Sequence, residues 1–247
     1  MKTIFIIAKK EFLTYFYTPI AYVIASVFYI INGLLFSYLI NDTSSNDVYR
    51  EGSVMQYIFS NDFFWIILFI LIPVITMRLI AEEKKEGTLE LILTFPVNDL
   101  QLILGKFFGA FLFYIFLWLP TFIYVGLLFW ISPPDLGPIF SAFLGVLLAG
   151  AMFISIGLFF STLTKNQIIS SMLCFGFILS LLIISAIEYV LPPGNIRFLL
   201  QYINFVKHSH LLSIGVIDTR NIVYFLSFIF FFIFLSTMSL EARKWSK

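Results

Sequence analysis

The sequence predicts an all-α polytopic membrane protein with six transmembrane helices. The chain is 60% hydrophobic and only 12% charged, and its mean hydropathy is +0.99. Its apolar runs are mostly about 20 residues long, which is the length that a helix needs to cross a bilayer. These two observations exclude an ordinary soluble domain. They predict that the chain is embedded in a lipid bilayer, which is therefore one of its partners. The net charge of +1 gives no indication of nucleic acid as a partner.

The six apolar runs are bounded or interrupted by residues that shape helices. The first follows Pro19, which suits a first helical turn, and ends at the polar run 41–47. The third contains Pro120, where we expect a kink. We predict spans at about residues 20–40, 63–80, 102–131, 138–163, 168–191 and 222–240.

Two further segments are not simple loops. Residues 4–18 mix apolar groups with Lys9, Lys10 and Glu11 and are too short to span, so we predict an amphipathic interfacial helix. The alternative is a ragged start to the first span. Residues 192–221 are too apolar for a free loop, and we expect short outer helices that pack over the bundle before the last span.

The distribution of Lys and Arg predicts the orientation, because short cytoplasmic loops carry more positive charge. With the N-terminus inside, the outer side holds four of the fifteen Lys and Arg residues: Arg50, Arg197, Lys207 and Arg220. We therefore predict a multi-pass protein of the bacterial cytoplasmic (inner) membrane with both termini in the cytoplasm.

Residues 78–90 form the densest charge cluster of the chain. Each charge would cost about 2.5–3.5 kcal/mol at the centre of a bilayer, so this cluster must lie in water. Gly87 suits a helix end, and Thr88 suits the N-cap of a second helix that Pro96 stops. We predict a helix–break–helix elbow over residues 81–97, with Asn98 or Asp99 capping the third span.

Other polar residues allow more than one interpretation. Glu188 fits a carboxylate that reaches the interface, although a substrate or proton contact is the alternative. His208 and His210 could meet a metal, but no cysteine or carboxylate accompanies them closely, so we predict no metal site. Asn32, Ser155 and Ser180 are the candidates for a polar path at mid-membrane.

The charge cluster also resembles a known family. Residues 78–96 read R-x-x-A-E-E-K-K-x-G-T-x-E-x-x-L-x-x-P, which is similar to the cytoplasmic segment of ABC-2-type transporter permeases. Residues 161–167 resemble the short cytoplasmic loop of that family, and residues 210–224 resemble its outer helices. The likeness covers nearly the whole chain and is strongest to the gliding-motility-associated ABC transporter permease subunit. Asn221 stands where an acidic residue is expected.

The resemblance implies a half-transporter that pairs with a second permease copy, as a homodimer or with a related permease. Each copy would dock a separate cytoplasmic ABC ATP-binding subunit that binds ATP and Mg²⁺, and this chain would hold no cofactor. The gliding-type likeness further suggests an accessory membrane subunit with a periplasmic domain.

The resemblance also suggests three groups of site residues, none of them catalytic. The implied ATPase-coupling residues are Arg78, Glu82, Glu83, Lys84, Lys85, Glu86, Gly87, Thr88 and Glu90. The implied cytoplasmic loop contacts are Thr164, Lys165 and Asn166. The implied outer gate comprises Gly215, Asp218 and Arg220.

Two functions compete for this sequence. The first is a permease that couples ATP hydrolysis in its partner to movement across the membrane. The second is a scaffold that docks the same ATPase, moves no solute, and transmits force or assembles a machine. The sequence contains no Gly-x-x-x-x-Gly-Lys-Ser/Thr motif, so we do not expect it to be an ATPase, or an enzyme of another kind.

Overall fold

A computed structural model of the chain describes residues 2–45, 62–94, 97–131, 136–192 and 194–245. Every regular element among those residues is an α-helix, which confirms the predicted all-α class. The described helices are α1 Lys2–Phe16, α2 Pro19–Ser45, α3 Asp62–Thr76, α4 Ala81–Glu86, α5 Thr88–Thr94, α6 Asp99–Trp118, α7 Thr121–Ile131, α8 Leu136–Leu163, α9 Gln167–Val190, α10 Asn195–Ile203, α11 Phe205–Ser213 and α12 Thr219–Trp245.

Five segments of the described chain are long and apolar enough to cross a membrane, which confirms the polytopic prediction. They are Pro19–Tyr38, Asp99–Leu127, Leu136–Leu163, Gln167–Glu188 and Thr219–Ala242. The predicted span 63–80 corresponds to α3, whose 15 residues are followed by turns as far as Ile80. Since a span needs about 20 residues, the described helices do not confirm the predicted count of six.

The contacts of α3 nevertheless extend from one end of the bundle to the other. Near its start, the Trp65 and Phe69 rings lie edge-on to Phe205 of α11, with centroids 5.7 and 6.0 Å away. Near its end, the carbonyl of Ile75 accepts a hydrogen bond from the Tyr15 hydroxyl of α1 at 2.9 Å. The helix therefore connects the end that holds α11 with the end that holds α1.

The centre of the bundle is α8, which is the most buried of the five long segments. It packs against α3, α6, α9, α11 and α12. Three of its glycines each face a different neighbour at a distance that leaves no room for a side chain: Gly145 faces Leu212, Gly150 faces Tyr114 and Gly157 faces Thr76. Small residues allow helices to approach closely, and here they do so on several sides of one helix.

Two helix boundaries differ from the prediction. The chain breaks at Leu119 and Pro120 into separate helices α6 and α7, where we expected a kink within one helix. The missing amide hydrogen of proline explains the position of this break. The other difference is in α2, which continues through Ser45 although we expected the polar run from Asn41 to end it.

The segment 192–221 contains two short helices, α10 and α11, as the sequence suggested. The first packs on α9, and the second packs mainly on α8. The Ser141 hydroxyl near the start of α8 donates to the carbonyl of Leu212 in α11. Both helices therefore lie over the bundle end that is opposite α1.

Replacing Gly150 by Ala should destabilise the fold by about 1–3 kcal/mol, the usual cost of overpacking a core. A Cβ atom at this position would lie 2.2 Å from the ring of Tyr114, which is fully buried. The Tyr114 hydroxyl also bonds to the carbonyl of Val146 at 3.1 Å, so the ring has little freedom to move. The measurement is thermal unfolding of the purified protein in detergent.

The matched control is Gly176→Ala in α9, where a Cβ would meet nothing within 4 Å. Equal midpoints for the Gly150→Ala variant and the unmodified protein would contradict the close approach of α6 and α8.

Candidate functional site

The predicted elbow is present in the structure as two short helices joined at Gly87. We call residues 81–94, which comprise α4, Gly87 and α5, the elbow. Gly87 ends α4 with φ of 74°, in the left-handed region that glycine adopts at low cost. Thr88 is the first residue of α5 instead of its cap, and its hydroxyl donates to the carbonyl of Glu83 at 3.4 Å. Asn98 caps α6 as predicted, whereas Pro96 lies outside the described residues.

The start of α4 is capped by a side chain from another helix. The Ser161 hydroxyl oxygen near the end of α8 accepts hydrogen bonds from the amides of Ile80 and Ala81 at 2.9 and 3.0 Å. The first amides of a helix have no partner within that helix, so Ser161 supplies what the local sequence lacks. The Lys84 ammonium also donates to the carbonyl of Thr162. These contacts attach the elbow to α8.

Arg78, just before the elbow, is buried against the junction of α1 and α2. Its guanidinium donates to the Thr18 hydroxyl at 2.7 Å and lies 5.3 Å from the centroid of the Tyr15 ring. The distance is within the range of a cation–π interaction. Burial raises the pKa of Tyr15, so this phenol stays neutral and donates to the carbonyl of Ile75.

Lys106 of α6 joins three helices through two ion pairs. Its ammonium lies 2.8 Å from Oε1 of Glu83 in α4 and 3.2 Å from Oε2 of Glu11 in α1. The Lys106 side chain is only 2% exposed, and those of Glu83 and Glu11 are 19% and 16% exposed. Burial raises the pKa of the Glu83 carboxyl and outweighs the opposing effect of the Lys106 charge. We call Lys106, Glu11 and Glu83 the charge clasp.

The predicted coupling residues therefore divide into three groups. Arg78, Glu83 and Lys84 face inward and fasten the elbow to its neighbours, while Glu82 and Thr88 are partly buried. The exposed ones are Lys85, Glu86, Gly87 and Glu90. Leu91 was not predicted but is also exposed, and we call Lys85, Glu86, Glu90 and Leu91 the exposed elbow face. Leu91 is 65% exposed, whereas Leu89 beneath it is fully buried.

The α8–α9 turn lies at the same end of the molecule as the elbow, beside the Lys84 to Thr162 contact. Asn166 caps α9, since its side-chain oxygen accepts from the amide of Ile168 at 2.9 Å. The Thr164 hydroxyl donates to the carbonyl of Asn166 at 3.2 Å, and Lys165 is exposed. Of the three predicted loop contacts, Lys165 is thus the one that is most available to a partner.

The predicted outer-gate residues lie at the opposite end and have local structural roles. Gly215 has φ of 90° and follows α11, where the bond from the amide of Val216 to the carbonyl of Leu211 closes the helix end. Asp218 precedes α12, and its carboxylate accepts from the amide of Arg220 at 2.9 Å. Arg220 is exposed. A gating role for these residues stays a prediction.

We expected Glu188 to extend toward water as an interfacial carboxylate, but the structure buries it. It is 3% exposed and accepts a 2.7 Å hydrogen bond from the Asn204 amide, while Arg197 lies 3.7 Å from its other oxygen. Charged groups near a membrane are usually paired when they are buried, and Glu188 follows this rule. The carboxylate thereby ties α9 to α10 and to the start of α11.

His208 also has a structural environment. Its Nδ1 lies 2.7 Å from Oδ1 of Asn221, and its ring stacks on Tyr224 at 4.4 Å between centroids. Among the described residues, no group of His, Cys, Asp and Glu side chains is arranged to hold a metal ion.

The amino-acid sequence matches a known protein family. The family model described as "ABC-2 family transporter protein" matches residues 40–206, which is more than half of the chain. The chain belongs to the ABC-2 transporter family. A search of curated proteins found no match.

Membership of the ABC-2 family defines the general role of the chain. It is a multi-pass membrane protein and a permease component of an ABC transporter. Such a component pairs with a cytoplasmic ABC ATP-binding subunit and is not itself the ATPase.

Sequence reasoning missed the residues that fasten the elbow of this ABC-2 permease. In the sequence, Lys106 is one of the eleven Lys and Arg residues that the predicted orientation leaves inside, although an ionisable residue inside an apolar run is a site candidate in itself. Glu11 is predicted only as a charged residue of the amphipathic helix 4–18. Ser161 was noted only within the turn motif, because a cap from a distant helix leaves no local signal.

Replacing Ser161 by Ala should loosen the start of the elbow. It leaves the amides of Ile80 and Ala81 buried without an acceptor, which costs about 1–3 kcal/mol. Hydrogen exchange measured by mass spectrometry should show faster exchange in a peptide that covers residues 78–86. The control is Ser180→Ala, because the exposed Ser180 hydroxyl donates only within its own helix, to Phe177. Equal exchange in the Ser161→Ala variant and the unmodified protein would show that Ser161 is not the cap.

Proposed function

We propose that this permease receives mechanical work from a separate ABC ATP-binding subunit through its elbow. The observation that carries the proposal is the two-sided construction of residues 81–94. One side is fastened to α8 and α6 through Ser161 and Lys106. The other side presents Lys85, Glu86, Glu90 and Leu91 to solvent. A charged surface on a fixed support suits a docking site.

The mechanism follows from which helices the elbow contacts. ATP and Mg²⁺ would be bound by the partner subunit, and closure of the ATPase pair would press on the exposed elbow face. The elbow connects α3 to α6 along the chain and bonds to the end of α8, so its displacement would tilt these helices as rigid bodies. Gly87 would allow α5 to change its angle to α4, because glycine tolerates many backbone angles and no atom lies within 4 Å of where its Cβ would be.

We further propose that the end that holds α1, the elbow and the α8–α9 turn faces the cytoplasm of a bacterium. The excess of Lys and Arg predicted for this side supports that orientation. In this arrangement α3 also crosses the inner membrane, which brings the number of spans to six. Both termini are then cytoplasmic, and α1 lies in the interface. Apolar side chains on the exposed surface of α1, such as Phe5 and Ile6, support the interfacial position.

The assembly that we propose contains two permease copies and a gliding-motility-type system with an accessory membrane subunit. The resemblance of residues 78–96 to that group of permeases supports this assignment. This assembly goes beyond membership of the ABC-2 family, and its support is the resemblance of residues 78–96.

The same complex could either transport a substrate or act as a scaffold. The three candidate residues for a polar path each donate to a carbonyl of their own helix: Asn32 to Phe28, Ser155 to Met152 and Ser180 to Phe177. A groove of about 420 Å³ between α2 and α3 is lined by apolar residues such as Val27 and Ile70. These features favour a hydrophobic substrate or lateral passage, and they keep the scaffold as the second candidate.

The two functions differ in how the complex responds to solutes. We expect a transporting complex, reconstituted in liposomes with its ATPase, to hydrolyse ATP faster when its substrate is present. The compounds to test for stimulation of ATP hydrolysis are hydrophobic and amphipathic ones. A rate that none of them changes would favour the scaffold.

Docking through the exposed elbow face predicts that the double variant Glu86→Lys, Glu90→Lys loses most of its bound ATPase. Both side chains are exposed, so charge reversal places two lysines against the surface that would complement the exposed elbow face. The measurement is the amount of ATP-binding subunit that co-purifies with the tagged permease.

The matched control is Glu241→Lys, which reverses an exposed charge at the other end of the sequence, in α12. Reversal at Glu83 would be a poor test, because it would place a lysine against Lys106. Full retention of the ATPase by the double variant would contradict docking at this face.

A further inference from the structure

Lys106 is placed where α1 and α6 approach each other closely. A Cβ atom at Gly105 would lie 2.6 Å from Cβ of Ile7, and one at Gly109 would lie 2.5 Å from Cβ of Glu11. The two glycines on either side of Lys106 therefore let α1 lie directly on α6. This packing brings the Glu11 carboxylate to the Lys106 ammonium.

The charges of the clasp are unequal in number, with two carboxylates facing one ammonium. Removing the ammonium would leave Glu11 and Glu83 close together with little solvent to screen them, and a buried charge without its partner is strongly unfavourable. The second oxygen of Glu83 is buried and has no hydrogen-bond partner, so this carboxylate depends on Lys106. The Lys106 ammonium therefore stabilises both carboxylates of the charge clasp.

The geometry points to a further role for Lys106. We propose that Lys106 is a positioning residue that holds α1 and the elbow together on α6, so that α1 moves with the elbow. The proposal rests on the proposed function, because the movement comes from the docked ATPase. It adds that the N-terminal helix is part of the coupling unit, and that the Lys106 ammonium ties it directly to the elbow.

The contacts of α6 with α1 differ in kind from its contacts with the elbow. The glycine contacts would hold α1 to α6 without any charge, whereas among the described residues no glycine contact of this kind joins α6 to the elbow. The elbow reaches α6 through the Glu83–Lys106 pair and reaches α8 through Ser161 and Lys84. Loss of Lys106 should thus leave α1 on α6 and remove the ion pairs that hold α4 to both helices, while the Arg78 contacts with Thr18 and Tyr15 still link α1 to the residue before the elbow.

The first test uses the permease alone in lipid nanodiscs. Spin labels at Lys9→Cys in α1 and Glu86→Cys in α4, both exposed positions, report the distance between the two helices by pulsed electron resonance. The native Cys174 is fully buried, and a sample without the engineered cysteines checks that it stays unlabelled. We expect a narrow distance distribution that shifts to longer distances and broadens in Lys106→Met.

Two variants serve as controls for that distance. Lys106→Arg keeps the charge and should restore the narrow distribution, and Lys207→Met removes an exposed lysine from α11 and should leave it unchanged. An unchanged distribution in Lys106→Met would overturn the proposal, whatever the fate of the proposed function.

The second test uses the complex with its ATPase and unlabelled permease variants. ATP trapping should change hydrogen exchange in both the elbow and α1 of the unmodified protein, but only in the elbow of Lys106→Met. An equal response of α1 in both proteins would overturn the proposal. Failure of the proposed function has a different signature, because the unmodified elbow would then show no response to ATP.

Discussion

The end of this permease that contains the elbow depends on the ammonium of Lys106. Three helices that are distant in the sequence each contribute one group to it: Glu11 from α1, Glu83 from α4 and the lysine itself from α6. An ammonium this deeply buried is tolerated only with partners, so the position of each helix constrains the other two. The elbow is therefore fixed by charge as well as by packing.

Around this point the molecule has two ends of different construction. The end with the elbow combines the charge clasp with the Ser161 cap and the buried Arg78, so its inner surfaces are polar and paired. The opposite end uses α10 and α11, which Glu188 and Asn204 tie to α9. Between them α8 packs closely on several sides because its glycines leave room for large neighbours. Such a rigid centre suits a protein that passes a movement from one end to the other.

Much of this architecture could be predicted from the sequence because it follows from local rules. Hydropathy placed the long helices, and Gly87 marked the elbow because its left-handed backbone has a clear residue preference. The length of α3 and the break before α7 were predicted less well, since turns and prolines at span ends have several outcomes. The inward direction of Glu83 was not predictable at all. A cluster of charges shows that a segment meets water, but only the folded chain shows which of them has a buried partner.

The most direct measurement is photocrosslinking from the elbow in living cells. A benzophenone amino acid is placed at Glu86, on the exposed elbow face, and at Lys207, exposed at the opposite end of the bundle. Our account predicts a crosslink between position 86 and an ABC ATP-binding subunit, and none from position 207. A crosslink to that subunit from position 207 without one from position 86 would contradict it.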